Sequence, residues 1–151
     1  MFAAQAIGRS ANVGRLEKAM EFVCGDKEQT TLELNMSNTS KLVDVTPLAK
    51  LGELQRLQQL TLCLGDCSSL ADITPLARLG ELQSLQQLAL DLSSCSQRVD
   101  ITPLAKLGEL HSLEELMLDL KECPKLPSSL QKEFTSPAEF AAACSSGALQ
   151  F

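Results

Sequence analysis

Leucines at alternate positions recur at a fixed interval along the chain, and this pattern predicts a series of short β-strands. The pairs stand 28 residues apart: Leu32/Leu34, Leu60/Leu62, Leu88/Leu90 and Leu116/Leu118. Leu60, Leu62 and Leu64, for example, alternate with Thr61, Cys63 and Gly65, as in a strand with one buried face. We therefore expect four strands near residues 32–36, 60–64, 88–92 and 116–120, all parallel in one sheet.

Between the strands, the apolar residues follow a different period. From Pro75 onward, leucine recurs at every third position up to Leu88, and Gly80 interrupts the run. A continuous α-helix has 3.6 residues per turn, so leucines at every third position would wind around its surface and would not stay on one face. Each run begins at a Thr-Pro step, where Thr46, Thr74 and Thr102 are natural N-caps and proline suits the first helical position. We expect a short helix at each Thr-Pro step, followed by a tighter turn into the next strand.

The strand and the helix belong to one repeated unit of 28 residues. TPLAKLGELQRLQQLTL, TPLARLGELQSLQQLAL and TPLAKLGELHSLEELML start at residues 46, 74 and 102, and a fourth strand begins a truncated last unit. One strand with one short helix cannot bury its own leucines, whereas stacked units can. The sequence thus predicts one domain, with an N-terminal capping helix segment over 1–31, repeats over 32–126 and a C-terminal cap and tail over 127–151.

Each end of the array has a pattern typical of a cap. Val13, Leu16, Met20 and Val23 have helical spacing and Gly25 follows, which predicts a helix over residues 12–24. At the other end, residues 136–139 read Ser-Pro-Ala-Glu, a capping box that predicts a short helix to about residue 144. The preceding LPSSLQKEF, residues 126–134, is predicted to be a loop, and SSGALQF a frayed tail.

The frame LxLxLxxCxxLxDIxPLAxLxxLxxLxxL resembles the leucine-rich repeat, and it covers residues 32–126. The segments DVTPLAKL, DITPLARL and DITPLAKL are especially similar to bacterial internalin repeats, although the unit here is longer, while GDCSSL and CPKLPSSL are similar to plant resistance-receptor repeats. The resemblance implies an α/β leucine-rich-repeat solenoid with a parallel sheet on the concave side and short helices on the convex side. It also implies a protein–protein interaction module.

The cysteines receive a structural interpretation from the same resemblance. In the family, the position after LxLxx is buried and hydrogen-bonded to neighbouring backbone; here this column holds Thr39, Cys67, Cys95 and Cys123. The alternative is a metal or redox cluster, which favours short spacings such as CxxC with histidine partners, and the sequence has none. Strand alternation points Cys63 outward, so we expect it to be exposed and to be the most reactive thiol. Cys24 and Cys144 receive no role.

A column of aspartates precedes the Thr-Pro steps. Asp44, Asp72 and Asp100 each stand two residues before the threonine. Calcium loops need several oxygen ligands within about a dozen residues, so we expect each carboxylate instead to accept backbone amides at a helix start. His111, the single histidine, replaces Gln55 and Gln83 of the earlier units and has no nucleophile motif around it.

Composition and charge disfavour several classes of protein. Hydrophobic residues make up 44% and charged residues 21% of 151 residues, as in soluble globular domains. Thirteen basic against nineteen acidic residues give a net charge of −6, which disfavours a nucleic-acid partner. No stretch is apolar for the roughly 18 residues of a membrane span, and no secretory signal is recognisable. We expect a cytoplasmic monomer without cofactor or metal; the acid-free start with Arg9 and Arg15 leaves a transit peptide as the alternative.

The outward strand positions form the predicted protein-binding face, which is small-residued, mildly acidic and without aromatics. Its members are Glu33, Asn35, Thr61, Cys63, Ala89, Asp91, Met117, Asp119 and Lys121. Asp91 and Asp119 should lie about 4.8 Å apart on neighbouring strands, where a partner's cation would relieve their repulsion. The sequence therefore predicts a non-enzymatic interaction scaffold. A structural or vestigial repeat module without independent binding, and a regulatory segment of a larger protein, are the alternatives; no visible motif supports an enzyme.

Overall fold

The computed structural model describes residue 18, residues 20–96 and residues 100–145. Its five-stranded sheet has the order β1-β2-β3-β4-β5, in which β1 to β4 are parallel and β5 is antiparallel to β4. The strands are β1 (Thr31–Asn35), β2 (Gln59–Cys63), β3 (Gln87–Asp91), β4 (Glu115–Asp119) and β5 (Glu133–Phe134). The predicted α/β fold with a mainly parallel sheet and short helices is confirmed, and each repeat strand begins one residue earlier than predicted.

The register between the parallel strands equals the sequence repeat. Leu32 lies opposite Leu60, Leu60 opposite Leu88, and Leu88 opposite Leu116. Equivalent residues of successive units therefore form straight columns across the sheet, so that the leucines of each column contact one another on the core side.

The segments between the strands are 3₁₀ helices: η1 (Thr46–Glu53), η2 (Thr74–Glu81), η3 (Thr102–Glu109) and η4 (Ser128–Leu130). A 3₁₀ helix has three residues per turn, so a leucine at every third position stays on one buried face, as Leu76 and Leu79 do. A short helix does begin at each Thr-Pro step, as expected, but the tight winding is not confined to the turn before the next strand. The tight winding begins at the Thr-Pro step itself and includes the glycine.

The helix starts are held by the aspartates and not by the threonines. The N-cap positions are Val45, Ile73 and Ile101, which make no side-chain capping bond. Instead, the carboxylates of the aspartate column accept hydrogen bonds from the backbone amides of the three threonines, at 2.8 Å in η1 and 2.9 Å in η2 and η3. The predicted role of the aspartates is confirmed, and the predicted threonine N-caps are wrong because each threonine is already the first helical residue.

One apolar core lies between the sheet and the 3₁₀ helices. Neighbouring 3₁₀ helices approach so closely that a Cβ on Gly80 would lie 2.8 Å from the Lys106 carbonyl oxygen, and one on Gly52 would lie 3.1 Å from the Arg78 carbonyl oxygen. A Cβ on Gly108, in η3, would meet no atom within 4 Å. A side chain at position 80 would therefore force the backbone to shift, one at position 52 would be tightly packed, and one at position 108 would meet no obstacle.

Three members of the cysteine column, Cys67, Cys95 and Cys123, are buried in this core and hydrogen-bonded to neighbouring backbone, as expected. The thiols donate to carbonyl oxygens of the preceding unit: Cys67 to Met36 at 3.2 Å, Cys95 to Leu64 at 3.5 Å and Cys123 to Leu92 at 3.1 Å. Thr39, the first member of the column, is equally buried, but within the described ranges its hydroxyl has no hydrogen-bond partner.

The structure describes more of the predicted C-terminal cap than of the predicted N-terminal cap. Residues 20–23 are helical, with Met20 and Val23 buried, while residues 12–17 and 19 of the predicted helix lie outside the described residues, as does the predicted tail from residue 146 on. The helix α1 (Pro137–Ser145) starts at the predicted capping box, where Ser136 Oγ accepts the Glu139 amide at 3.1 Å. The predicted loop over 126–134 is wrong, since η4 and β5 lie within it.

No helix in residues 20–96 or 100–145 is both long enough and apolar enough to cross a membrane.

Candidate functional site

The open face is the surface of β1 to β4 that points away from the 3₁₀ helices. The strand register arranges its side chains in three rows. These are a first row of Thr31, Gln59, Gln87 and Glu115, a second of Glu33, Thr61, Ala89 and Met117, and a third of Asn35, Cys63, Asp91 and Asp119. Eight of the nine predicted site residues lie in the second and third rows, and Lys121 follows β4.

Sequence reasoning missed the first row of the open face. The strands were predicted to start at the leucines, whereas they begin one residue earlier, at Thr31, Gln59, Gln87 and Glu115. Extending the two-residue alternation back from the second row would have found these four positions. The row adds two amides and one carboxylate to the candidate surface.

Two depressions in the open face give it a shape that a partner could fill. The larger, of about 570 Å³, is lined by the first two rows together with Thr135. The smaller, of about 230 Å³, lies among Thr61, Cys63, Asp91 and Asp119, and Met117 lines both. Met117, in the second row on β4, is 54% exposed and is the one large apolar side chain among the twelve residues of the three rows.

The third row is held in place by turns at the strand ends. The side-chain oxygen of Asn35 accepts the Ser37 amide at 3.0 Å, and a carboxylate oxygen of Asp91 accepts the Ser93 amide at 2.9 Å. Asp119 accepts the Lys121 amide in the same way, at 2.9 Å. These bonds orient the side chains without a ligand, so the acidic end of the face is preformed.

The second unit lacks this turn, and its absence leaves space for the Asp91 carboxylate of the third unit. Its equivalent residues are Cys63 and Gly65, and a Cβ on Gly65 would lie 3.0 Å from an Asp91 carboxylate oxygen and 3.1 Å from Ser93 Oγ. The Asp91 carboxylate therefore leans over Gly65. A larger residue at position 65 would move it.

The two carboxylates of the third row have different electrostatic surroundings. Asp91 and Asp119 lie in register, as predicted. However, Lys121 Nζ is 3.6 Å from Asp119 Oδ2 and 3.3 Å from Glu133 Oε2 of β5, whereas Asp91 makes no ion pair with any described residue. The hydrogen bond to Glu133, followed by the charge of Asp119, raises the pKa of the Lys121 ammonium. The expectation of two unneutralised carboxylates is therefore corrected to one, Asp91.

Cys63 is less exposed than predicted, and its rank as the most reactive thiol stays a prediction. It is half-buried, and burial raises the pKa of its thiol, which the negative charges of Asp91 and Glu33 raise further. Because the thiolate is the reactive form, these surroundings reduce the reactivity of Cys63 near neutral pH. All six cysteines are free thiols.

The remaining candidate residues do not assemble into a chemical site. His111 is exposed, away from the open face, on the turn that follows η3. Across residues 20–96 and 100–145, no three His, Cys, Asp or Glu side chains are grouped so as to hold a metal ion. The open face is therefore the candidate functional site.

No protein-family model matches the chain, and no curated protein is significantly similar to it.

Proposed function

We propose that the protein is a non-enzymatic protein-interaction scaffold of the leucine-rich-repeat type, whose partner binds the open face. The observation that carries this proposal is the preformed face itself, on which Met117 is exposed between Glu115 of the first row and Asp119 of the third. The core of a protein interface is apolar and its rim is polar, and Met117 with the polar residues around it has that composition.

The proposed architecture is a curved solenoid of stacked units with the open face on its concave side. The 28-residue register between strands supports it, as does the close approach of η1, η2 and η3 at Gly52 and Gly80. In such an array each unit contacts only its neighbours, and the sheet that the units form displays their side chains in rows.

The chemistry of the face indicates the kind of partner. Met117 offers an apolar contact, and Asp91 offers a carboxylate without an ion-pair partner in the described ranges, so the complementary surface carries an apolar side chain beside Lys or Arg. Four strands spaced about 4.8 Å apart form a narrow strip. Because a standard interface takes about 800 Å² from each side, the partner must also contact the turns that follow the strands.

The experiment compares proteins captured by immobilised wild-type chain with those captured by two charge-matched variants. Asp91→Lys with Met117→Lys changes the open face, and Glu109→Lys with Ala105→Lys makes the same charge change on η3. We expect a specific protein to be retained by wild type and by the η3 variant and lost from the open-face variant. Equal retention by both variants would place the interface elsewhere. Capture of no specific protein would favour a structural module without independent binding.

A further inference from the structure

The outward residues of β4 alternate in chemical character. Glu115, Met117 and Asp119 are successive outward positions of this strand, so an apolar side chain stands between two acidic ones. Glu115 and Met117 are exposed, and Asp119 is partly exposed. Successive outward residues of a strand lie about 6.6 Å apart, so the two acidic positions are about 13 Å apart along β4. A complementary partner therefore needs a basic, an apolar and again a basic group at these intervals.

The smaller depression beside Asp119 has the shape and the charge of a site for a basic side chain. Its volume is about 230 Å³, and its walls include Thr61, Ala89 and Met117 as well as the carboxylates of Asp91 and Asp119. Arginine and lysine pack their hydrocarbon stems on apolar surface while their charged ends reach polar groups. The methyl and thioether groups of the walls can therefore contact the stem, and the two carboxylates can bind the charged end.

Negative charge predominates around the smaller depression. Lys121 Nζ lies 3.6 Å from Asp119 Oδ2 and 3.3 Å from Glu133 Oε2, so one ammonium group is shared between two carboxylates. Asp91 adds a third carboxylate, which makes no ion pair within the described ranges. The potential also acts on Cys63, another residue of the depression: burial raises the pKa of its thiol, and the charge of Asp91 raises it further. The depression therefore attracts a cation.

The carboxylate of Asp91 is oriented for such a cation before any partner binds. Its Oδ1 accepts hydrogen bonds from both the amide and the hydroxyl of Ser93, at 2.9 and 2.6 Å. Its Oδ2 lies above Gly65, which has no side chain to cover it. The carboxylates of Asp91 and Asp119 stand on strands about 4.8 Å apart, so a planar guanidinium with five N–H donors can bond to both, whereas an ammonium is a single point charge. The geometry favours arginine over lysine.

The spacing along β4 also indicates the conformation of the partner. Side chains at positions i, i+2 and i+4 of an extended segment share one side and repeat about every 6.6 Å, the same interval as the outward residues of β4. An α-helix rises about 5.4 Å per turn, so over two turns it would fall about 2 Å short of the 13 Å or so between the acidic positions. The rows across the sheet repeat at about 4.8 Å and match an extended segment less well.

We infer, on the basis of the proposed function, that the partner of the open face contributes an extended segment with the pattern Arg-x-apolar-x-Arg or Arg-x-apolar-x-Lys, which lies along β4. One arginine enters the smaller depression between Asp91 and Asp119. The apolar side chain packs against Met117, and the second basic side chain faces Glu115. Because the segment lies on the face of the sheet and not at an edge, its side chains supply the recognition.

The test uses the isotope-labelled full-length chain and two blocked peptides of identical composition. Gly-Arg-Ser-Leu-Ser-Arg-Gly has the inferred pattern, whereas Gly-Arg-Arg-Leu-Ser-Ser-Gly has both arginines on one side of the leucine. We expect the first peptide to shift the amide resonances of residues 115–119 in NMR titrations. It should bind about fivefold more tightly than the second, because only the first can place an arginine at each end of β4. Its affinity should fall as the ionic strength rises.

Two substitutions and a matched control locate the contacts of the patterned peptide. Asp91→Asn removes the charge but keeps an oxygen that can accept the Ser93 amide, as the side chain of Asn35 does in the first unit. We expect Asp91→Asn and Glu115→Gln each to weaken binding by about fivefold. Glu109→Gln, the same charge change on η3, should leave the affinity unchanged.

Several outcomes would overturn the inferred segment. They are binding of neither peptide, equal affinity of the two, resonance shifts confined to β1 and β2, and equal weakening by all three substitutions. None of them decides the proposed function, because the capture experiment uses no peptide. A captured protein that is lost from the variant Asp91→Lys with Met117→Lys would still place the interface on the open face, and its binding segment would then be of another kind, such as a helix.

Discussion

At the residue scale, the second unit differs from the others at the end of its strand. Asn35, Asp91 and Asp119 each accept the amide two residues later, whereas Cys63 offers no such acceptor to Gly65, and both residues lie in the described part of the chain. Asp91 uses the space above Gly65. The difference therefore weakens one turn and shapes the acidic end of the open face.

We predict that Cys63→Asn stabilises the protein. The new side-chain oxygen can accept the Gly65 amide as Asn35 accepts that of Ser37, which should raise the free energy of unfolding by about 1 kcal/mol. Asparagine is chosen because aspartate would put a second negative charge beside Asp91. Urea denaturation gives the change, with Cys63→Ala as a control that should stay within about 0.5 kcal/mol of wild type. Equal stability of the two variants would mean that the turn bond does not form.

A second residue-scale prediction concerns the core column. Leu90 is 1% exposed and lies in register between Leu62 and Leu118. Leu90→Ala should lower the free energy of unfolding by about 2–5 kcal/mol, because it leaves a cavity between two strands. Met117→Ala, on the exposed face of the adjacent strand, should cost far less. A loss below about 0.5 kcal/mol for Leu90→Ala in denaturant melts would contradict the buried position.

At the scale of elements, the stacking of the 3₁₀ helices depends on two glycines. Gly80 leaves no room for a side chain against η3 and Gly52 leaves only tight room against η2, whereas Gly108, in a nearly identical sequence, has an open neighbourhood. The same residue is therefore under steric constraint in two units and free of it in the third.

The comparison of two glycine substitutions tests this difference. Gly80→Ala places a Cβ 2.8 Å from the Lys106 carbonyl and should destabilise the protein by about 1–3 kcal/mol, since backbone must shift. Gly108→Ala should be neutral or stabilising by up to about 1 kcal/mol, because alanine restricts the unfolded chain. Thermal or urea unfolding measures both. Equal destabilisation by the two substitutions would contradict the packing of η2 on η3.

The periodic elements could be predicted from the sequence because their signals are local and repeated. The Leu-x-Leu pairs specify the buried face of each strand, and the 28-residue step specifies the strand partners. The step of three between Leu76 and Leu79 also matches a 3₁₀ helix directly, so the tight winding was readable. The aspartate column was predicted correctly because its spacing from the Thr-Pro step is constant.

Outside the repeat, the local capping signal predicted α1, but β5 and its contacts could not be predicted in this way. The strand β5 has only two residues, and its pairing of Phe134 with Leu118 depends on a partner distant in sequence. Lys121 was recognised as a site residue, but its bond to Glu133 of β5 required the position of that strand. The unequal neutralisation of Asp91 and Asp119 therefore depends on tertiary structure.

At the scale of the whole molecule, the buried thiols report on global unfolding. Burial raises the pKa of the Cys67, Cys95 and Cys123 thiols, that of Cys95 to about 12, so reactive thiolate is scarce in the folded state. We predict that native alkylation labels the half-buried Cys63 and Cys144 first and these three only as fast as the protein unfolds. Mass spectrometry over a time course measures the order, and the melting temperature should not depend on reductant. Labelling of the three as rapid as that of Cys63 would contradict the buried column.

The 28-residue register also limits how the coding sequence can change in length. An insertion of one residue within a strand turns its leucines to the opposite face, and so exposes them. A tandem duplication of 28 codons instead adds a strand and a 3₁₀ helix that fit both neighbours, with each new thiol again facing the carbonyl 31 residues earlier. Unequal crossing-over between such similar units produces changes of this size. Selection can therefore act on the number of units, and each gain widens the displayed surface by one strand.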